Sequence, residues 1–282
     1  MLHRQAFCSF IVSVMVTCSA GAAPAKVKQQ FFPPKAAAVR QAARSSSGTT
    51  VVNAASYLPG VSPGALATVF GTNLTDVSGI VTATTNPLPL VLANVSVRVN
   101  GIPAPMFSVA FANGLDQISF QIPWETDTGP GAADVQVFDY GNQMAELQVD
   151  SFVEDPGIFA FQRFGQLYAV ALHPSDYSLI TPDNPASRGE VIILYTTGLG
   201  PVDRFVQDGF GAPFNPPANT IDPYRVIVDR ESAAILFSGL APGFVGLYQI
   251  NLRLPDDLPA GDLTIRILSD FADSQTVLIS VQ

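Results

Sequence analysis

The pattern of apolar and polar positions changes character near residue 50. From Val51 onward, short runs alternate with a period of two. Asn94–Asn100 (NVSVRVN) places Val95, Val97 and Val99 on one face. Gln117–Pro123 (QISFQIP) does the same with Ile118, Phe120 and Ile122, and Ala133–Phe138 and Ala145–Val149 continue the series. Successive side chains of a strand point to opposite faces, so this period predicts antiparallel strands with one buried and one wet face. Gly, Pro, Asn and Asp punctuate the runs, as tight turns require. No long stretch after residue 48 carries the 3.6-residue period of an amphipathic helix.

The runs come twice. QISFQIP at 117 is matched by Gln249–Pro255 (QINLRLP), an offset of 132 residues. Each is followed by a short acidic turn and a further strand, beginning at Asp134 and at Asp262. Ser62-Pro63-Gly64 leading into Ala65–Phe70 is matched by Ser187-Arg188-Gly189 leading into Glu190–Tyr195, an offset of 125. Arg225–Asp229 parallels Ser96–Asn100. Offsets that drift by a few residues indicate one duplicated unit with loop insertions. Short strands at regular spacing favour a sandwich over a barrel or an α/β fold. The expected fold class is therefore all-β: two tandem immunoglobulin-like β-sandwich domains, at 49–155 and 156–282. The boundary is placed at Glu154-Asp155-Pro156-Gly157, before a strand expected over Ile158–Phe161.

The region before these strands reads differently. Arg4 precedes a largely apolar stretch, Ala6 to Ala20, shorter than the ~20 residues that span a bilayer. Ala20 and Ala22 form a small-residue cleavage site, so 1–22 is expected to be a signal peptide cut after Ala22. A lipoprotein cut before Cys18 fits less well, because Val16 and Thr17 precede it. Residues 23–48 are expected to be a flexible basic linker, with Phe31-Phe32-Pro33-Pro34 its one apolar patch and a helical turn across Ala36–Arg44. Both cysteines, Cys8 and Cys18, fall in the leader, so the exported chain is expected to have no disulfide and no thiolate chemistry. No other segment is apolar and long enough to cross a membrane. The expected location is outside the cytoplasm: extracellular, cell-surface or periplasmic.

Composition sharpens this picture. Charged residues make up 13% of the chain, about half the usual share, and hydrophobic residues 48%. The segment up to Arg44 is basic, whereas the remainder sets eight arginines against 23 acids, a net charge of −15. Nucleic-acid binding needs a basic footprint, which this body lacks.

Several ordered phrases resemble one family. They are Asn53-Ala54-Ala55-Ser56, Ser62-Pro63-Gly64, Gln117–Thr126 (QISFQIPWET), Leu194–Val202 (LYTTGLGPV), Ser238–Gly243 (SGLAPG) and Gly246–Asn251 (GLYQIN). Together they are similar to the Solibacter-type C-terminal domain family of secreted acidobacterial proteins, over about residues 50–282. That resemblance implies tandem immunoglobulin-like modules and brings no catalytic residues with it.

The candidate chemistry is thin. His173 is the one histidine beyond the leader, beside Pro174-Ser175-Asp176 in a turn-like stretch. With one histidine and no cysteine, a conventional zinc site is not expected. Asp256-Asp257, Asp270 with Asp273, and Glu154-Asp155 are the densest acids, and none follows a calcium-loop pattern. Glu125 and Asp127 flank Trp124, the only tryptophan, which is a texture of sugar sites; a glycosidase would need two carboxylates facing across a cleft. Gly198-Leu199-Gly200-Pro201 follows a strand, but no helix pattern follows it, so a dinucleotide cradle fails on context. The apolar loop Gly239–Gly246 either buries Leu240 and Phe244 or offers them to a partner. The sequence therefore predicts a non-enzymatic structural or interaction module without cofactor or metal. Trp124, Leu240 and Phe244 are its candidate contact residues, and an unidentified protein or polysaccharide its partner. A carbohydrate-binding or adhesive module and a carboxylate hydrolase are the alternatives.

Overall fold

The computed structural model describes residues 48–282. The expected leader, and the linker with its helical turn, lie outside the described residues apart from Gly48. Among the described residues the chain is all-β, with nineteen strands and no helix.

The first half holds β1 (Thr50–Asn53), β2 (Leu66–Gly71), β3 (Ile80–Thr82), β4 (Val95–Val99), β5 (Ile102–Ala104), β6 (Met106–Ala112), β7 (Leu115–Gln121), β8 (Gly129–Asp139) and β9 (Asn142–Ser151). They form a five-stranded sheet, β1-β2-β7-β6-β3, and a four-stranded sheet, β5-β4-β8-β9. The alternation read from the sequence closes these sheets face to face. Val69, Val109, Ile118 and Phe120 from one meet Val95, Val97, Val99, Val135 and Val137 from the other, all fully buried. Burial of such a side chain stabilises by about 1.5–3 kcal/mol relative to leaving it exposed. Pro105 is where the chain crosses between sheets: β5 pairs with β4 and β6 with β7. Proline has no N–H to continue a ladder, but its carbonyl still accepts from Gln121 N at 2.9 Å.

The second half holds β10 (Gly157–Ile158), β11 (Ala160–Arg163), β12 (Gln166–Ala169), β13 (Ala171–Leu172), β14 (Val191–Thr197), β15 (Arg225–Val228), β16 (Glu231–Leu240), β17 (Tyr248–Arg253), β18 (Gly261–Leu268) and β19 (Val277–Val281). Here the crossing strand is unbroken. The first residues of β16 pair with β15 and its remainder with β17, so the hydrogen-bonded path runs through nine strands, with β13 added as a branch on β14. A register shift between Ile235 and Phe237 marks the bend and leaves Leu236 exposed. Such an irregularity lets one strand serve two layers. The sheet encloses a core that includes Ile192, Leu194, Val226, Ile250, Leu252, Ile265 and Ile267. The strand expected over Ile158–Phe161 is split into β10 and β11, because the chain leaves β14 for the opposite layer at Phe159.

The duplicated phrases carry duplicated hydrogen bonds. Ala65 N donates to Ser62 O and Glu190 N to Ser187 O, each at 3.1 Å. Ile122 N donates to Ala65 O and Leu254 N to Glu190 O, each at 2.8 Å. Val61 bridges Ser151 in parallel, as Ala186 bridges Val281.

The halves meet head to tail. Leu66 N, at the start of β2, donates to Thr197 Oγ1 (3.0 Å) at the end of β14, and that hydroxyl donates to Gly246 O (2.7 Å). Ala54, Leu66, Leu88 and Phe107 pack around Val245. Gln275 Nε2 reaches Ala55 O at 3.2 Å and Ile158 O at 2.6 Å. Gly198, at φ +78°, comes so close to the connecting segment that an added Cβ would stand 2.0 Å from Asp155 O. A left-handed backbone with no room for a side chain admits only glycine.

Candidate functional site

The long connection between β14 and β15 is a closed loop. At its neck, Val202 bridges Thr220, and Asp203 N donates to Asn219 O at 2.8 Å. Asn219 returns two bonds to the Asp203 carboxylate, from N at 3.0 Å and from Nδ2 at 2.7 Å. Arg204 Nε adds another at 3.1 Å. These donors, Asn219 first, hold the Asp203 carboxyl below its ordinary range. An acceptor carboxylate closing a loop neck is the side-chain equivalent of a turn.

The tip of the loop is tied to the first half. Trp124 N donates to Asp208 Oδ1 (3.1 Å), Gly209 N to Gln121 Oε1 (2.7 Å) and Gly211 N to Asn86 Oδ1 (3.1 Å). Leu88 N donates to Gly209 O at 2.8 Å, while Ala212 N ties the loop to its own half through Phe244 O at 3.0 Å. Along the loop, three phenylalanines face solvent: Phe205 is 84% exposed, Phe214 68% and Phe210, between the two pinned glycines of the tip, 40%. Ile221, just past the neck, is exposed too. Phe214 stands against Gly243, where an added Cβ would come within 2.9 Å of its ring. Large apolar groups held out in water by a pinned loop do nothing for the core, and exposed apolar side chains of this kind are what partner-binding surfaces are built from.

The residues singled out from sequence lie elsewhere. Leu240 is 1% exposed and belongs to the second-half core, so it has no surface to offer a partner. Phe244 is half-buried against the cluster of Tyr195, Ile193 and Leu247. Trp124 is half-buried at the joint, packed against the second-half core and lying over Gly64, where an added Cβ would sit 2.3 Å from the ring. Its Nε1 is buried without a hydrogen-bond partner. The duplicate of Trp124 is Asp256, which lies over Gly189 in the same way and takes Arg253 Nη2 at 2.9 Å. One copy of the site docks the other half; the second ends in an exposed ion pair. Phe205, Phe210 and Phe214 were missed. The only signal is a long strand-free stretch whose phenylalanines follow neither a period of two nor of 3.6.

The acids sort by neighbour. Glu125 lies beside Asp208; burial, then the Glu125 carboxylate, pushes Asp208 up to about 6. Asp208 is already an acceptor for a backbone N–H, which gives it a structural use. His173 Nδ1 lies 2.6 Å from Glu190 Oε1 and Nε2 3.3 Å from Asn184 O, so both ring nitrogens are committed. Among the described residues no three His, Cys, Asp or Glu side chains converge as a metal site would, and no helix is long and apolar enough to cross a membrane.

No protein-family model and no curated protein matches the chain. Solved structures that resemble it in part include the mixed-linkage glucan utilization locus protein SGBP-B of Bacteroides ovatus, in complex with a mixed-linkage heptasaccharide. That similarity has 13% identity and a TM-score of 0.32, and covers 79% of this chain but 43% of that one. The adhesin InvE of Yersinia pseudotuberculosis is similar at 13% identity and a TM-score of 0.21, over 82% of this chain and 58% of that one. A chimeric titin Z1Z2 functionalized with a decorin peptide is similar at 14% and 0.18, over 83% and 96%. Likeness this loose carries no argument about function.

Proposed function

We propose that this chain is an exported binding or adhesive module without catalytic activity, of the Solibacter-type secreted family. In this reading, loop 203–219 of its second domain holds a protein or polysaccharide partner outside the cytoplasm. One observation carries the reading: Phe205, Phe210 and Phe214 are held in solvent by a loop pinned at neck and tip. Burying an anchor of this kind on a partner is worth about 2 kcal/mol or more where it acts as a hot spot. The pinning lowers the ordering cost of binding. The joint contributes by making both domains one support for the loop.

Co-sedimentation tests this. The chain from Ala23 is mixed with insoluble polysaccharides, peptidoglycan and envelope fractions. Saturable pelleting with one fraction, reduced at least tenfold in affinity by Phe205→Ser/Phe214→Ser, supports the reading. Pelleting that the double variant leaves unchanged removes the loop from it.

A further inference from the structure

Three carboxyl groups at the joint have no basic partner among the described residues: Glu154 and Asp155 on the connection, and Asp208 at the loop tip. The four ion pairs among the described residues all lie elsewhere. Glu154 is fully buried, its Oε2 has no hydrogen-bond partner, and its Oε1 is 3.1 Å from the Tyr224 hydroxyl. That same hydroxyl meets the carbonyl of Leu199. A phenol has one proton, and a backbone carbonyl can only accept. The one Tyr224 proton faces two acceptors, so it cannot fully satisfy a carboxylate at Glu154. The groups around Glu154 are Tyr224, Tyr248, Ser269 and Asp222, none of them basic; burial raises the acid although the Ser269 and Tyr224 hydroxyls favour its charged form. Gly200 rests on the acid, with an added Cβ 2.8 Å from Glu154 Cγ, and its carbonyl takes the Tyr248 hydroxyl at 2.5 Å.

The other two acids repeat the theme. Asp155 Oδ2 has Asn53 Nδ2 at 3.2 Å, with Gly60 packed beside it. Asp208 has the Trp124 N–H on one side and the Glu125 carboxylate on the other. An unpaired carboxylate in such surroundings is costly, so it neutralises instead.

We propose that the joint between the two halves is held by protons. Glu154, Asp155 and Asp208 are neutral acids in the closed form, and the joint loosens, freeing the tip of loop 203–219, as pH rises toward neutrality. The directions agree with this. Burial raises Glu154, the same cause pushes Asp155 to about 6 against the hydrogen bond from Asn53, and Asp208 stands near 6. The ordinary aspartate value is 3.8. The closed form therefore binds more protons than the open chain between about pH 4 and 6. Its proton-linked stability is full below about pH 4 and is lost as pH rises through 6. Asp155 alone shifts the opening equilibrium by up to about 100-fold across that window; Asp208, more open to water, shifts it by less.

The test is the urea midpoint of the full chain at pH 4.5, 6 and 7.5, with small-angle scattering at each pH. Wild type is expected to lose midpoint and to gain radius as pH rises. Glu154→Gln/Asp155→Asn/Asp208→Asn keeps the hydrogen-bonding capacity and removes the titration. Its midpoint is expected to hold up at pH 7.5, apart from a background from Asp134 and Asp139, which burial also raises. Should the triple variant not fold, Asp208→Asn alone is expected to flatten the pH slope. A wild-type midpoint that rises over this range, or variants that keep the wild-type slope, overturns the proposal. The outcome is independent of whether loop 203–219 binds anything.

Discussion

Removing the Trp124 ring is expected to damage the joint by stripping its packing from the second-half core, and to leave a hole over Gly64. Full burial makes a Trp→Ala change cost about 3–5 kcal/mol. Trp124 is half-buried, which brings the loss to about 2–3 kcal/mol. Its buried, unpaired Nε1 already costs about 1 kcal/mol or more, and truncation relieves that. The net expectation for Trp124→Ala is about 2 kcal/mol, a fall in Tm of about 4–8 °C for a chain of this size. Trp124→Phe keeps a ring over Gly64 and removes the orphan donor, so it is expected to lie within about 1 kcal/mol of wild type. The partner substitution is Gly64→Ala. Its φ is +76° and its Cβ would stand 2.3 Å from the indole. In wild type it is expected to cost about 3 kcal/mol, from overpacking plus the left-handed backbone. In the Trp124→Ala background the clash is gone, and only the backbone cost of about 1 kcal/mol remains. Urea unfolding of the four proteins, followed by circular dichroism, gives the coupling energy directly. A coupling of at least 1 kcal/mol is expected. Additive costs would show that the ring and the glycine do not meet, and would refute the seating of Trp124 described above.

Other perturbations separate core, neck and surface. Phe120→Ala empties the middle of the first sandwich and should cost about 3–5 kcal/mol in the same urea assay, with circular dichroism still all-β. Asp203→Ala removes three hydrogen bonds from the loop neck; amide exchange across 203–219 should quicken while exchange in the core strands stays as in wild type. Phe205→Ser/Phe214→Ser should leave Tm within about 2 °C of wild type, because exposed side chains contribute little to folding. Gly198→Ala should unfold the joint and be far more damaging than Gly114→Ala, which has open space around it.

The strands were legible in the sequence wherever one face is wet and one dry. β4 falls on the valines of NVSVRVN, and β17 on the repeated QINLRLP phrase, because a period of two is the direct imprint of a half-buried sheet. Legibility failed where burial comes from the other half. Gly239–Gly246 is apolar because Leu240 turns into the core and Val245 packs on Leu66 and Phe107 of the first half. A local reading cannot tell that from an exposed patch. For Trp124 the sequence left two readings open, packing at the end of a strand and contact with a partner, for the same reason. The repeat held a clue, since its duplicate is Asp256: a position apolar in one copy and charged in the other is the position where one copy touches something and the other does not. The joint acids were visible as Glu154-Asp155 and as Glu125, but Asp208 is remote in sequence and comes to Trp124 only through the closed loop.

The central claim is that loop 203–219 is the contact surface, and amide hydrogen exchange of the chain with and without its pelleting partner tests it most directly. The account predicts that slowed exchange on binding centres on residues 203–219, and that Phe205→Ser/Phe214→Ser abolishes it. Protection confined to other strands or loops, with 203–219 unchanged, would contradict it.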